Sequence, residues 1–182
     1  FAGDFATAAT VALEAHGPEL LGYLVAICRD RDEADDIFAD VCERVWKALP
    51  SFRFEATLRT WMYTIARNCF ASARRKPGRE NGRVVGLSQA PEVARVANKV
   101  RTTTAIHLQT GSKDRLSRIR ATLDPDEQTL LILRIDRQMA WRDIAQIMGE
   151  PGSDHNRVAA TLRKRFERLK EKIRAQLVAD GR

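Results

Sequence analysis

The side chains best suited to chemistry in this chain hold charge rather than break bonds. Residues 157–174 carry Arg157, Arg163, Lys164, Arg165, Arg168, Lys170, Lys172 and Arg174 against only Glu167 and Glu171. Cations at that density suit the phosphates of a polyanion, and each such contact makes binding salt-dependent. A second cluster mixes cations, rings and an amide: Arg53, Phe54, Arg59, Trp61, Tyr63, Arg67, Asn68, Arg74 and Arg75. Aromatic faces stack unpaired bases, Arg neutralises phosphate, and Asn offers a paired donor and acceptor to a base edge. Trp61, at helical spacing from Ile65, reads either as core or as a nucleic-acid-facing edge. A third cluster has the opposite sign: Asp30, Asp32, Glu33, Asp35, Asp36, Asp40 and Glu43. On one helix these are either a solvated face or a seat for a basic protein, and they would repel DNA.

Nothing in the pattern favours catalysis. Asp35 with Asp36, and Asp154 with His155, are conceivable acid–base pairs, but no third group supports either. No Gly-rich phosphate loop is present. Cys28, Cys42 and Cys69 lie far apart without a CxxC pair, and His16, His107 and His155 are scattered, so neither a metal nor another cofactor is expected. The three thiols are expected to be buried and reduced, as in a reducing cytoplasm.

The elements that must position these clusters are helical, because apolar residues recur at three- and fourfold spacing and strand alternation is nearly absent. A first helix is expected over about 4–16, broken at Gly17-Pro18, with Pro18 opening a second through Arg29. Asp30 or Asp32 caps the acidic helix, whose stripe is Ile37, Val41, Val45 and Leu49 and whose end is Pro50. Thr57 caps the next helix, with Leu58, Trp61, Met62, Ile65, Cys69 and Phe70 on its apolar face. From Lys76 to Lys113 the pattern dissolves under Pro77-Gly78, Asn81-Gly82, Gly86, Pro91 and Gly111, with at most a weak helix near 92–108. Asp124-Pro125-Asp126-Glu127 then combines a cap, a Pro at the first position and a Glu at the third. A short helix over Trp141–Met148, a turn over 149–154 and a long basic helix from His155 follow the order of a helix-turn-helix. The final helix packs through Val158, Leu162, Phe166, Leu169 and Ile173. Its opposite face can enter a major groove, with His155, Asn156, Arg157, Ala160, Thr161 and Lys164 near base edges and Arg163, Arg165 and Arg168 near phosphates. An ordinary solvated basic helix in a small bundle is the plainer reading.

The chain has 182 residues and a formal net charge of +7. That length accommodates two small all-α domains, each near the lower limit for an independent core. No stretch reads as a membrane span, and Phe1-Ala2-Gly3-Asp4 lacks the basic start and apolar run of a signal peptide.

Ala34-Asp35-Asp36-Ile37, continuing to Arg44-Val45-Trp46, resembles the polymerase-binding helix of sigma-70-family factors. Ser51-Phe52-Arg53-Phe54-Glu55-Ala56 and Arg59-Thr60-Trp61-Met62-Tyr63-Thr64-Ile65-Ala66-Arg67-Asn68 resemble the segment that melts and reads the −10 element, in the form typical of the extracytoplasmic-function (ECF) group. Leu123–Lys172 is similar to the group's −35-reading domain. The chain departs from the group's usual residues at Ala39 and Cys42, where Gln and Phe are frequent, at Phe54, where Gly is common, and at Ser72, where Asp is frequent. The resemblance implies a region 2-like domain over 1–76, a flexible linker over 77–113 and a region 4-like helix-turn-helix domain over 114–182. It implies docking on the clamp and flap of core RNA polymerase through Asp35, Asp36, Asp40, Glu43 and Trp46. It also implies capture of single-stranded −10 bases by Arg53, Phe54, Glu55, Arg59, Trp61, Tyr63, Arg67, Asn68, Arg74 and Arg75, and reading of duplex promoter DNA at −35 by the last helix. An anti-sigma protein that holds both domains in the idle state is a further implied partner. The competing expectation is a helix-turn-helix regulator that acts without touching polymerase.

Overall fold

The computed structural model describes residues 2–75, 91–109 and 115–179, with side chains at 5–75, 91–104 and 118–179. The regular structure among them is helical, with no strand. The chain divides into two compact units, Phe1–Gly111 and Ser112–Arg182.

The first unit is built around α1 (Ala2–Cys28), with α2 (Arg31–Ala48), α3 (Leu58–Arg75) and α4 (Pro91–Gln109) packed against it. Leu13, Leu20, Leu21, Leu24 and Ile27 of α1 are buried, together with Ile37, Phe38, Val41 and Val45 of α2 and Met62, Tyr63, Ala66 and Cys69 of α3. The expected break at Gly17-Pro18 does not occur, since α1 runs through Pro18. Proline inside a helix costs about 3 kcal/mol, because an amide donor is lost and the ring meets the preceding turn. Continuous burial on both sides of Pro18, which itself points to solvent, offsets that cost. Gly17 is there for a different reason: a Cβ at this position would lie 3.0 Å from Val100 of α4 and 3.5 Å from Phe38 of α2.

Phe5–Cys28 is long and apolar enough to cross a membrane by length and composition, with a mean hydropathy of 1.2. Glu14 and Glu19 interrupt it, so it is not the run of uncharged apolar residues whose absence is expected from the sequence. Its length and apolarity serve a central helix, covered by three others.

Caps fix the helix starts. Asp30 accepts a hydrogen bond from the Glu33 amide at 2.8 Å, and Thr57 Oγ1 accepts one from the Thr60 amide at 3.1 Å. A short 3-10 turn, Leu49–Ser51, and a bend lead from α2 to α3.

The region expected as a linker contains α4, whose Val93, Val96, Ala97 and Val100 are buried within the first unit. Residues 76–90 and 110–114, which belong to the same expected linker, lie outside the described residues.

The second unit comprises α5 (Arg115–Thr122), α6 (Pro125–Leu131), α7 (Trp141–Met148) and α8 (His155–Ala179). Asp124 and Glu127 form a reciprocal capping box with Pro125 at the first turn, as expected. A π-turn, Ile132–Asp136, ends α6 and turns the chain toward α7. Ile144, Ala145 and Ile147 of α7 pack with Ala159, Leu162, Phe166 and Leu169 of α8, alongside Leu123, Leu130 and Leu133. Gly149 ends α7, where a Cβ would lie 2.6 Å from the Ala145 carbonyl oxygen, so no larger residue fits without moving backbone.

Cys28, Cys42 and Cys69 are free and buried, and burial pushes each thiol from 9.0 up to about 12. Thiolate, not thiol, is the nucleophile. Iodoacetamide at pH 7.5 should therefore leave the folded chain unmodified and label all three sites in denaturant. Because the folded chain keeps these protons longer than the unfolded chain, this stabilising contribution holds below pH 9 and declines as pH rises from 9 toward 12. Rapid alkylation of the native chain would contradict the packing described.

Candidate nucleic-acid and protein interfaces

α2 presents its acids on two sides. Asp36 and Asp40 stand one turn apart and are exposed, and half-buried Glu43, ion-paired with Lys47, continues the same face. Trp46 is half-buried near the end of the helix. Asp35 is placed differently. Its Oδ2 accepts from Arg31 Nε at 3.0 Å, and its backbone carbonyl accepts from Arg101 of α4 at 2.6 Å. The five acids and aromatics expected to dock together thus fall into an open face and a side that α4 adjoins.

At the start of α3, Phe52, Phe54 and Trp61 form one aromatic cluster. Phe52 lies 4.7 Å from Phe54 and 5.0 Å from Trp61, centroid to centroid. Phe54 is 84% exposed and sits at φ 58°, in the left-handed region that favours glycine. Arg53 and Glu55 are exposed on either side. Trp61 is half-buried and lies on the outer face of α3, which continues at helical spacing through Ile65, Asn68, Ser72 and Arg75. Asn68 and Arg75 are exposed and Arg67 is half-buried. Arg74 lies over the Phe70 ring at 5.5 Å.

One expected nucleic-acid contact, Tyr63, is corrected by this geometry, and another, Arg59, is held by an ion pair. Tyr63 is 0% exposed and packs against Tyr23 of α1 at 5.4 Å, so it belongs to the core. It falls on the inner face because Met62, Tyr63 and Ala66 turn toward α1 while Trp61 turns outward. Arg59 is engaged by a fork: its Nε and Nη2 donate to the two oxygens of Glu19 at 2.8 Å each. The hydrogen bond to Glu19 is the main cause of its raised pKa. This pair fastens α3 to α1 across 40 residues of sequence.

In the second unit, α7, the turn 149–154 and α8 follow one another in the order expected from the sequence. Asp154 Oδ1 accepts the amides of Asn156 at 2.9 Å and Arg157 at 3.4 Å, which starts α8. Asn156, Arg157, Ala160, Thr161, Lys164 and Arg168 are exposed, away from the buried stripe, and His155 is half-buried at the first position. Arg165 is also exposed. Trp141 is the hub of the unit's outer edge: Arg134 lies over its ring at 5.0 Å, Arg163 at 5.8 Å, and Phe166 meets it edge-on at 5.6 Å. Arg163 is therefore held against a ring rather than extended freely. Among the described residues, no three His, Cys, Asp or Glu side chains converge as metal ligands.

Residues 12–80, which include most of α1, all of α2 and all of α3, match the family Sigma-70 region 2. The chain is 28% identical over 167 residues to the ECF RNA polymerase sigma factor EcfG of Rhodopseudomonas palustris, a match covering 90% of this chain and 82% of that one. It is 27% identical over 164 residues to the RNA polymerase sigma factor YlaC of Bacillus subtilis, covering 86% of this chain and 90% of the relative. A third relative, the RNA polymerase sigma-H factor of Pseudomonas aeruginosa, is 26% identical over 170 residues, covering 85% and 78%. Residues 12–80 thus carry a Sigma-70 region 2 match, and the chain is similar over most of its length to sigma factors, one of them of the ECF type. The region 2 match ends before α4, so the α4 packing adds a helix to the matched unit.

The structure also brings forward residues that sequence reasoning gave no role. Phe52 joins Phe54 to Trp61, Arg134 backs Trp141, and Glu19 holds Arg59. Only Phe52 carried a local cue, a second ring two residues from Phe54 in a short loop.

The exposed Phe54 ring makes the cluster's function separable from its stability. Phe54→Ala should change stability by no more than about 0.5 kcal/mol, as for an exposed side chain. It should lower open-complex formation by about 5- to 150-fold, the equivalent of losing one stacked base. Permanganate footprinting of unpaired thymines with the polymerase complex would measure this; an undiminished footprint removes Phe54 from base capture.

Proposed function

We propose that this chain acts as a sigma factor that binds core RNA polymerase through the exposed acidic face of α2, captures unpaired −10 bases with the α3 face and its aromatic loop, and reads duplex −35 DNA with α8. The observation that carries this reading is the division of the first unit. Asp36 and Asp40 stand on one helix, and the Phe52–Phe54–Trp61 cluster with Asn68 and Arg75 stands on the next. One surface suits a basic protein and the other suits single-stranded nucleic acid, and both fall within the region 2 match.

In this mechanism the chain makes and breaks no covalent bond. Asp36, Asp40 and Glu43 dock on polymerase, with Trp46 beside them, while Asp35 joins only as far as its contacts with Arg31 and α4 permit. Extruding a base costs a few kcal/mol. Stacking on Phe54 and Trp61, phosphate contacts from Arg53, Arg67, Arg74 and Arg75, and polar contacts from Asn68 and Glu55 offset that cost. Arg59 and Tyr63 support this surface from behind, through Glu19 and Tyr23.

In the second unit Asn156, Arg157, Ala160, Thr161 and Lys164 face base edges, with His155 at the start of the helix. Arg163, Arg165 and Arg168 neutralise phosphates. Because α8 and α3 would bind separate promoter elements, residues 77–113 set the reach between them. The reaction takes place where polymerase works, in the cytoplasm, and an anti-sigma partner would act by covering these same faces. The acidic α2 face disfavours a regulator that works without polymerase, because such a protein has no use for it.

Asp36→Arg should abolish capture of core polymerase in a pull-down while leaving the helical spectrum unchanged, and retained capture would reject the docking face. On duplex DNA, Lys164→Ala should weaken binding to all sequences and flatten the salt dependence, with a slope change of about 1. Asn156→Ala should instead change base preference by about 1–3 kcal/mol at one position. Uniform loss from both substitutions would remove the base-reading role of Asn156.

A further inference from the structure

α4 has a composition ill-suited to a helix that stands alone. Val93, Val96, Val100, Thr102, Thr103 and Thr104 are β-branched, and such residues lose side-chain freedom in a helix. Helicity in such a segment comes from packing. Its buried residues are small, and its polar contacts at the α2 seam are incomplete. Arg31 Nη2 donates to the Arg101 carbonyl at 3.1 Å, and Arg101 Nη2 donates to the Asp35 carbonyl at 2.6 Å. Yet Asp35 Oδ1, Arg101 Nε and Thr104 Oγ1 are buried with no hydrogen-bond partner among the described residues. A half-satisfied buried network stabilises an interface weakly, because each orphan atom has given up water without replacement. The seam lies on the side of α2 that holds Asp35, one of the acids assigned above to polymerase.

From these observations we propose that α4 is a displaceable strap: docked, it occupies the Asp35 side of α2 and competes with core polymerase for that side; released, it frees Asp35. This inference rests on the polymerase-docking role of α2. Docked and released forms are two populated states, and polymerase binds the released form. Release exchanges the orphaned atoms for water but uncovers the buried Val93, Val96, Ala97 and Val100, so polymerase must cover the vacated α1 face as well as replace what Asp35 and Arg31 lose. The apolar contacts of Val96 and Val100 with α1, in the space that Gly17 leaves open, hold the docked form together.

The test uses the exposed ion pair between Lys99 of α4 and Glu14 of α1, 3.2 Å apart. Replacing both, Glu14→Cys with Lys99→Cys, gives two accessible thiols, while the three native cysteines stay buried. Bridging the pair with a short bis-methanethiosulfonate reagent fixes α4 in place, and reductant frees it. Affinity for core polymerase, measured by fluorescence anisotropy on the full chain, should fall at least about tenfold on bridging and return on reduction. The same chain capped with methyl methanethiosulfonate, which leaves α4 free, should bind as the parent does. Equal affinity of bridged and reduced chains, or an equal loss in the capped chain, overturns the strap. Arg101→Ala provides a second readout of opposite sign: removing a seam contact should tighten polymerase binding by about fivefold. An α4 that merely supports the fold would weaken it, and that result also overturns the proposal. If the parent chain itself fails to bind polymerase, the docking role falls and the strap falls with it, whereas a binding parent with an unresponsive bridge removes the strap alone.

Discussion

Burial of α1 is the constraint on which the first unit depends. The helix is almost uncharged over 24 residues, and its apolar surface must be covered by other elements. Every other helix of the unit spends its apolar face on this task, which leaves only outward faces for function. The same packing forces Tyr63 inward against Tyr23 and lets Trp61 face outward with Phe52. It also explains Arg59, whose fork with Glu19 fixes how α3 leaves the loop that carries Phe54. The outward surface of α3 is thus the remainder after α1 has been covered.

Local signals in the sequence carried most of the helix starts, because a cap is a short-range event. Asp30, Thr57 and Asp124 were each readable within four residues of the amide they bond. The acidic face of α2 and the basic face of α8 were readable for a similar reason, since helical spacing alone separates inside from outside. What failed did so through long-range packing. Gly17-Pro18 has the local character of a break, and only burial on both sides carries the helix through it. α4 was faint because its stripe is Val and Ala amid Thr, too small and too β-branched to declare a helix before a partner is known. Tyr63 and Arg59 were assigned to nucleic acid by type and proximity, and their true neighbours, Tyr23 and Glu19, lie 40 residues away in each case.

The second unit solves a different problem. It presents a strongly cationic helix while keeping that helix folded in the absence of any polyanion. Asp154 at the N-terminus of α8 complements the helix dipole, and Lys172 is neutralised by Glu127 of α6 through contacts at 2.7 and 2.8 Å. Repulsion along α8 is relieved at its ends, leaving the middle turns free to carry net charge. Arg163 and Arg134 add their guanidinium groups to the faces of Trp141, so part of the positive charge is ordered before any ligand arrives.

The three tryptophans are distributed with unusual convenience for a spectroscopist. Trp46 lies on the acidic helix, Trp61 in the aromatic cluster and Trp141 between Arg134 and Arg163 of the second unit. Each indole is half-buried, so its emission responds to whatever covers it. Single-tryptophan versions of the chain would therefore give separate optical reports on the acidic helix, the aromatic cluster and the outer edge of the second unit, and the order in which the three signals change would time the covering of each surface without any attached dye.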